Sequence, residues 1–260
     1  MGLYFKYIRM QLRAQLQYKA SFVMLAATQF MIPLALFAGI YFLFERFGHV
    51  QGWTLYEVFL SFSIIGMCFA TATCFARGFD RFANMIRTAS FDRILVRPRG
   101  TVLQVLGTEF DIKRIGHFIQ ALLVLVISIV SVDVAWNPTR VIMLINMLIG
   151  GSLIMSGIYM LQAAAAFWTI DGLEVANIFT HGIKEHAVYP LDIFPRGITM
   201  FLTFVLPFGT ITYWPLQYLL GRVEGNGWLF AFLPLLGGMF IIPCVAIWRF
   251  GVRKYFSAGS

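Results

Sequence analysis

Six long stretches of this chain contain no charged side chain, and this feature constrains the fold more than any other. They cover residues 20–44, 58–76, 115–132, 141–170, 197–221 and 225–248. A helix of about 20 apolar residues crosses a hydrocarbon core about 30 Å thick. None of the stretches alternates with the period of two that a membrane β-strand needs. The pattern predicts an all-α integral membrane protein with six transmembrane helices, organised as a single domain over residues 1–260.

The composition excludes a water-soluble globule. Hydrophobic residues make up 59% of the 260 positions and charged residues only 12%, against about 45–50% and 25% in soluble domains. A net charge of +8 would suggest a nucleic-acid partner in a soluble protein, but basic residues also hold cytoplasmic loops inside, so we expect no nucleic acid. Cys68, Cys74 and Cys244 lie in apolar runs without metal-ligand spacing. We expect them to be small buried side chains and predict no metal site.

The distribution of lysine and arginine predicts the orientation. Fifteen of them lie before the first stretch, between the second and third, and after the last, whereas the opposite side carries only Arg46, Arg140 and Arg222. Basic residues accumulate in cytoplasmic loops. We therefore expect both termini and the second loop to lie in the cytoplasm.

Residues 1–19 predict an amphipathic helix that lies in the headgroup plane. A basic and polar stripe keeps helical phase at Lys6, Arg9, Arg13 and Gln17. An apolar stripe keeps the same phase at Phe5, Ile8, Leu12 and Leu16. The alternative is a charged start to the first span.

The segment 77–114 is the largest soluble piece, and it is too small for a catalytic domain. Ser90 is predicted to cap a short helix over residues 91–96. Thr101 is predicted to start a second helix that runs through residue 116 into the third span.

The first of these helices carries Phe91, Ile94 and Leu95. The loop offers too little protein of its own to bury these three side chains. We therefore expect them to contact a partner, and the alternative is that they rest on the membrane surface.

The stretch 171–222 offers two ways to place the fifth span. The window 197–221 is more apolar, but Pro207 and Pro215 favour two half-helices over one rod. Residues 173–189 carry a polar stripe, which is permissible in a span when it faces protein or a water-filled cavity. The stripe consists of Glu174, Asn177, His181, Lys184 and Glu185. We favour 173–189 as the crossing and, within a re-entrant region over 190–225, a hairpin over 198–220 with its turn near Pro207.

Two sets of residues in or near the spans are explained by helix packing and by the membrane interface. Small residues in the fourth span suit packing inside the chain as well as a dimer contact; they include Gly150, Gly151, Ser152, Ser156 and Gly157. Aromatic residues close to the predicted interfaces suggest an aromatic belt; they are Tyr41, Trp53, Trp136, Tyr213, Trp214 and Trp228.

Catalytic motifs are missing from the sequence. It contains no phosphate-binding loop, no nucleophile elbow and no H-E-x-x-H metal motif, so we do not expect this chain to hydrolyse ATP. Apart from the polar stripe of 173–189, the predicted spans also lack the acidic or basic groups that ion-coupled carriers place near the midplane of the membrane. Energy for any transport is therefore expected to come from elsewhere.

Several motifs together resemble one known family. They are GWTLYE (52–57), SFDRILVRP (90–98), YPLDIF (189–194), VLPF (205–208) and YWP (213–215). With the basic amphipathic start, they cover nearly the whole chain. They resemble the membrane subunit of ABC-2 type exporters, in particular the permeases of about this length that are encoded beside a separate ATPase.

The resemblance implies a permease of the bacterial cytoplasmic membrane that dimerises, with a second copy or a paralogous permease, on two ABC ATPase subunits. ATP and Mg²⁺ would be bound by the partner ATPase, with no cofactor and no catalytic residue on this chain. The residues implied to couple to the ATPase are Phe91, Asp92, Arg93, Ile94, Leu95 and Arg97. Those implied to form an outer gate are Pro207, Phe208, Tyr213, Trp214 and Pro215. The polar stripe of 174–185 would face the pathway or the dimer seam.

A hypothesis from a different class remains open. His181 and Glu185 lie four residues apart on one helical face, so a stand-alone ion-coupled carrier or membrane enzyme could use them. A non-transporting scaffold is a third possibility, and it would tolerate substitutions along the polar stripe.

Overall fold

The computed structural model describes residues 2–50, 52–168, 191 and 194–256. Every regular element in these ranges is helical, and an isolated bridge between Val50 and Trp53 is their one extended pairing. The helices are α1 (Gly2–Leu16), α2 (Lys19–Phe47), α3 (Leu55–Asp80), α4 (Phe82–Arg87), α5 (Asp92–Leu95), α6 (Thr101–Leu106), α7 (Ile115–Ser131), α8 (Pro138–Ala165), α9 (Arg196–Met200), α10 (Trp214–Leu219), α11 (Gly227–Gly238) and α12 (Ile241–Lys254). The predicted all-α class is confirmed.

Five helical segments are long and apolar enough to cross a membrane. They are Lys19–Phe47, Leu55–Arg87, Ile112–Ser131, Pro138–Ala165 and Gly227–Lys254. A sixth candidate is a broken pair, Arg196–Val205 and Phe208–Leu219, whose halves are bent by 77°. The break falls at the predicted turn near Pro207, because proline cannot donate the backbone hydrogen bond that a continuous helix needs.

Local sequence signals set the starts of these spans. At the start of α3, the backbone N–H of Thr54 donates to Glu57 Oε2 at 2.7 Å. At the start of α8, Asn137 Oδ1 accepts from the N–H of Arg140 at 2.8 Å, and Pro138 occupies the first turn, where no donor is needed. Asn226 caps α11 by accepting from the N–H of Trp228 at 3.1 Å.

Helix α3 lies at the centre of the bundle. It packs against α7 and α8, and 83% of its apolar window is buried, against 11% for α2. Helix α8 packs in turn against α11 and α12, and α2 packs against α7. The periphery therefore includes α2, whose side chains mostly face outward.

Three glycines of α8 pack closely against other helices of the chain. A Cβ at Gly150 would overlap the carbonyl of Pro234 in α11, and one at Gly151 would overlap the Cys68 sulfur in α3. At Gly157 a Cβ would lie 3.1 Å from the Cys244 sulfur. Among the three cysteines, Cys68 and Cys244 are buried as predicted, whereas Cys74 is half-buried.

The bundle has two ends, named here by the segments they carry. The loop end carries α1, the segment 77–114 and the end of α12. The far end carries the connections 48–54, 132–137 and 220–226. Sequence analysis predicts that the loop end is cytosolic.

The prediction of one continuous helix from Thr101 to residue 116 is wrong. Helix α6 ends at Leu106, and a new helical turn begins at Ile112. Between them the chain crosses the loop end of α3, where the N–H of Asp111 donates to the carbonyl of Cys74 at 3.2 Å. The crossing needs a close backbone approach, because a Cβ at Gly78 would overlap the carbonyl of Val105.

Candidate functional site

An aromatic cluster lies beneath the segment 91–97. Phe91 is fully buried, with its ring centroid 4.9 Å from Phe82, 5.2 Å from Tyr255, 5.7 Å from Phe167 and 6.2 Å from Trp248. These rings come from α4, from the turn that follows α8, and from α12 with the residue that follows it. The cluster therefore joins the loop to two spans that are distant in sequence.

The expectation that Phe91 and Ile94 face a partner is wrong. Phe91 is 0% exposed and Ile94 is 5% exposed, and the Gln104 side chain donates to the carbonyl of Ile94 at 3.2 Å. The expectation counted only apolar surface within the loop. The missing surface is supplied from outside the loop by Phe167, Trp248 and Tyr255, which are distant from the segment in sequence.

One edge of this segment remains open to solvent. Leu95 is 41% exposed and Val96 is 84% exposed, and Arg93 and Arg97 are also exposed, while Asp92 is half-buried. Val96 is a site residue that the sequence pattern did not predict. Its position beside Leu95 and away from Phe91 on a short helical turn is the signal that could have found it.

The predicted cap at Ser90 is also wrong. Its hydroxyl contacts the carbonyl of Met85 at 3.3 Å and the hydroxyl of Thr88 at 3.0 Å, so it serves the end of α4 rather than the start of α5. The chain turns between the two helices at Ala89, whose φ is +50°. Helix α5 is correspondingly short, from Asp92 to Leu95.

A cluster of charged side chains ties the two ends of the segment 77–114 to the spans. Arg77 contacts Asp80 at 2.6 Å and Asp111 at 4.0 Å. Arg114 lies 3.8 Å from Asp111 and donates to the Gln29 side chain at 2.7 Å. Because the four charged side chains are only 12–20% exposed, solvent weakens these interactions less than it would on an open surface. The cluster links α2, α3 and the start of the third span.

The five predicted gate residues occupy one short part of the chain, between residues 207 and 215. Phe208 is fully buried and Pro215 is buried, whereas Pro207 and Tyr213 are half-buried. Trp214 is 41% exposed and makes an edge contact with Tyr213 at 5.1 Å. The structure brings the five together, and their role as a gate stays a prediction.

A second ion pair holds this broken helix pair to the rest of the bundle. The Arg222 guanidinium lies 2.7 and 2.8 Å from the two oxygens of Glu57 and 2.9 Å from the carbonyl of Gly52. It also lies 4.4 Å from the ring centroid of Trp53. Sequence analysis missed this arrangement, although Thr54 and Glu57 carry the spacing of a helix-capping pair.

The prediction that Trp53 belongs to an aromatic belt is wrong, because its side chain is only 1% exposed. Four of the other predicted belt residues are exposed: Tyr41, Trp136, Trp214 and Trp228. Trp53 instead forms the floor under Arg222. A cation over an indole face in a partly desolvated site is favourable.

Residues 173–189, with the predicted polar stripe of Glu174, Asn177, His181, Lys184 and Glu185, lie outside the described residues. The choice of fifth span and the role of the stripe therefore stay predictions. Within the ranges that are described, no group of three histidine, cysteine or acidic side chains could hold a metal ion.

Comparison with known proteins gives one match. A family model described as ABC-2 family transporter protein matches residues 30–259, which include most of the first long apolar helix, the other four, the segment 77–114 and the broken helix pair. Neither the search of curated proteins nor the search of solved structures found a match. Since the family model covers most of the chain, this protein belongs to the ABC-2 transporter family and is a multi-pass membrane permease.

Proposed function

We propose that this permease forms, with a second copy or a paralogous permease, the translocation pathway of an exporter driven by separate ABC ATPase subunits. The observation that carries the proposal is the open edge of the segment 91–97 in a chain of this family. ATP and Mg²⁺ are bound by the partner ATPase, and this chain contributes transport rather than catalysis.

The architecture of the loop end supports a coupling role for this edge. Arg93, Leu95, Val96 and Arg97 are available to a partner. The opposite side of the segment is anchored by Phe91 in the aromatic cluster. Movement of an ATPase seated on the edge would therefore reach α4, α8 and α12 directly instead of bending a loose loop.

Binding of ATP to the ATPase would change which conformation of the permease the ATPase binds more tightly. A partner can shift a conformational equilibrium only through differential contacts with the two states. The charged cluster of Arg77, Asp80, Asp111 and Arg114 connects the two ends of the segment 77–114 to three spans. We infer that this cluster moves with the loop during the transition.

The remaining assignments follow from the family and from the charge distribution. The loop end lies in the bacterial cytosol, so both termini are cytosolic. The stripe of 174–185 faces the pathway or the dimer seam. The broken pair, with Pro207 and Phe208 at its bend, forms the outer gate.

Co-purification tests the proposal. The tagged full chain is extracted from native membranes in a mild detergent, co-purifying proteins are identified by mass spectrometry, and ATP hydrolysis is measured. We expect a stoichiometric ABC ATPase, with or without a second permease. Repeated recovery of a lone chain would contradict the proposal and favour a stand-alone carrier using His181 and Glu185.

The coupling edge is tested by Leu95→Asp combined with Val96→Asp. Both side chains are exposed, so we expect normal insertion and stability but at least a tenfold loss of co-purifying ATPase. Asn84→Asp with Thr88→Asp is the matched control, because it adds the same charge at exposed positions of the segment 77–114 that lie outside 91–97. Equal ATPase recovery from both variants would remove residues 95 and 96 from the coupling surface.

A further inference from the structure

We propose that α1 and the groove beside it bind the headgroup of an anionic phospholipid. The inference goes beyond the transport function and does not depend on the identity of the ATPase. It rests on three features of the loop end: the way α1 is held, a groove lined by hydrogen-bond donors, and an excess of positive charge.

Helix α1 is fixed to the bundle by one face. The Tyr4 hydroxyl donates to the carbonyl of Phe75 at 3.1 Å, and the Gln11 side chain donates to the carbonyl of Thr108 at 2.8 Å. Gln15 donates in the same way to Phe110, and Tyr7 packs over Gly107, where a Cβ would lie 2.5 Å from its ring. These positions recur every three or four residues, so they form a single stripe.

The other faces of α1 are left open. Phe5 is 64% exposed and Leu16 is 43% exposed, and both lie on the apolar stripe. The basic residues Lys6, Arg9 and Arg13 occupy the neighbouring face. An apolar face beside a basic face suits a helix whose apolar side chains enter the bilayer while its charges stay at the phosphate level.

A groove of about 170 Å³ lies where α1 meets the first span. Tyr18, Ser21 and Lys113 contribute hydroxyl and ammonium donors to its wall. None of these three side chains forms an ion pair or side-chain hydrogen bond with another residue in the described ranges. Phe22 and Leu25 supply an apolar wall that belongs to α2, so the groove combines phosphate donors with a surface for an acyl chain.

The basic residues of α1 and Lys113 of the groove wall give this part of the loop end a positive charge. Residues 1–44 contain no aspartate or glutamate. Within the described part of the chain, no carboxylate lies within 4.0 Å of Lys6, Arg9, Arg13 or Lys113. Juxtamembrane basic groups of this kind attract anionic lipid by about 1 kcal/mol each. The groove therefore favours a phosphate-bearing lipid with net negative charge over a zwitterionic one.

The geometry points to a lipid rather than to a soluble protein. The apolar wall comes from the loop-end turn of α2, which among the five described spans is the least buried, with only 11% of its apolar window covered. In a membrane this wall faces the surrounding acyl chains. A lipid can thus fill the groove from the side while its headgroup reaches Lys113 and the basic face of α1.

Lipid binding to the purified full chain tests the proposal. Retention of phosphatidylglycerol and of phosphatidylcholine with the same acyl chains is compared by native mass spectrometry. We expect preferential retention of phosphatidylglycerol, weakened in 0.5 M salt by screening (roughly a 4 Å Debye length). Arg13→Gln with Lys113→Gln is expected to weaken phosphatidylglycerol binding about 10- to 30-fold, the loss that corresponds to two such charges.

The matched control is Arg249→Gln with Arg253→Gln, which removes two exposed charges from the end of α12. It is expected to keep the affinity of the unsubstituted protein. Equal binding of the two lipids, or equal losses in the test and control variants, would overturn the proposal. Loss of ATPase recovery from the test variant with unchanged phosphatidylglycerol binding would assign the surface to the ATPase instead.

A second measurement requires no substitution. Addition of phosphatidylglycerol to the unsubstituted chain is expected to raise its thermal midpoint by several degrees more than phosphatidylcholine, because a ligand of the folded state stabilises it by mass action. Identical midpoints with the two lipids would count against the site.

Discussion

The guanidinium of Arg222 lies 2.7 Å from the carboxylate of Glu57, although 165 positions separate the two residues. Glu57 also accepts the N–H of Thr54 at the start of α3. One carboxylate thus caps the central helix and anchors the chain that follows the broken helix pair. This relationship connects the far end of α3 to the segment proposed as the outer gate.

Removal of the arginine should destabilise the protein. Arg222→Ala would leave the largely buried Glu57 carboxylate without its partner, and we expect a loss of about 2 kcal/mol in the free energy of unfolding. Thermal unfolding of the purified chain should show a midpoint lowered by roughly 5 °C. Arg46→Ala, at an exposed position near the same end, should change it little. Identical midpoints for the two variants would show that the pair contributes no stability.

The buried and exposed sides of the segment 91–97 should respond differently to truncation. Phe91→Ala opens a cavity in the aromatic cluster and should cost about 3 kcal/mol. Leu95→Ala removes a side chain that is 41% exposed and should cost under about 1 kcal/mol. Thermal unfolding of both variants measures the contrast. A larger loss for Leu95→Ala would refute the inward placement of Phe91.

The close approach of α6 to α3 should make one glycine irreplaceable. A Cβ at Gly78 would overlap the backbone of Val105, whereas a Cβ at Gly100 meets no atom within 4 Å. We expect Gly78→Ala to cost at least about 2 kcal/mol, because overpacking against backbone cannot be relieved by a rotamer change. Gly100→Ala should be nearly neutral. Limited proteolysis of the segment 77–114 gives the readout, with faster cleavage expected only in Gly78→Ala.

The Tyr4 hydroxyl, which donates to the carbonyl of Phe75, should make the packing of α1 against the bundle sensitive to high pH. Burial, with a smaller effect of the nearby Cys74, raises the pKa of Tyr4 to about 12. The folded state thus favours the neutral phenol that donates to Phe75. Its contribution is fully present below the ordinary pKa of about 10 and is lost as the pH rises through about 12.

The matched variant for this pH dependence is Tyr4→Phe, which keeps the ring and removes the donor. Below pH 10 we expect the unsubstituted protein to be more stable than Tyr4→Phe by about 1 kcal/mol. The difference should shrink as the pH rises above 10, and the unsubstituted protein should have lost its advantage by pH 12. Thermal midpoints measured from pH 9 to 12 provide the test, and a gap that stays constant over this range would contradict the assignment.

The sequence by itself determined the features that depend on local pattern. Long uncharged stretches predict the helical class, and five of them coincide with long apolar helices or, for the last, with the pair α11 and α12. The period of residues 1–19 predicts α1, and Pro207 predicts the break at residues 206–207. These properties follow from a few neighbouring residues, because hydrogen bonding and hydrophobic matching in a bilayer are satisfied within one segment.

Only the tertiary structure decided which loop-end surfaces are buried and which ion pairs form. Phe91 is covered by Phe82 and Trp248 from separate helices, and Glu57 finds Arg222 across the bundle. The stripe of Tyr4, Tyr7, Gln11 and Gln15 holds α1 to the bundle, although these four residues do not belong to the apolar stripe of the helix. Its donors bind backbone carbonyls, whose positions depend on the packing of distant elements. Local periodicity carries no information about that packing, because the contacts join residues that are neighbours only after the helices assemble.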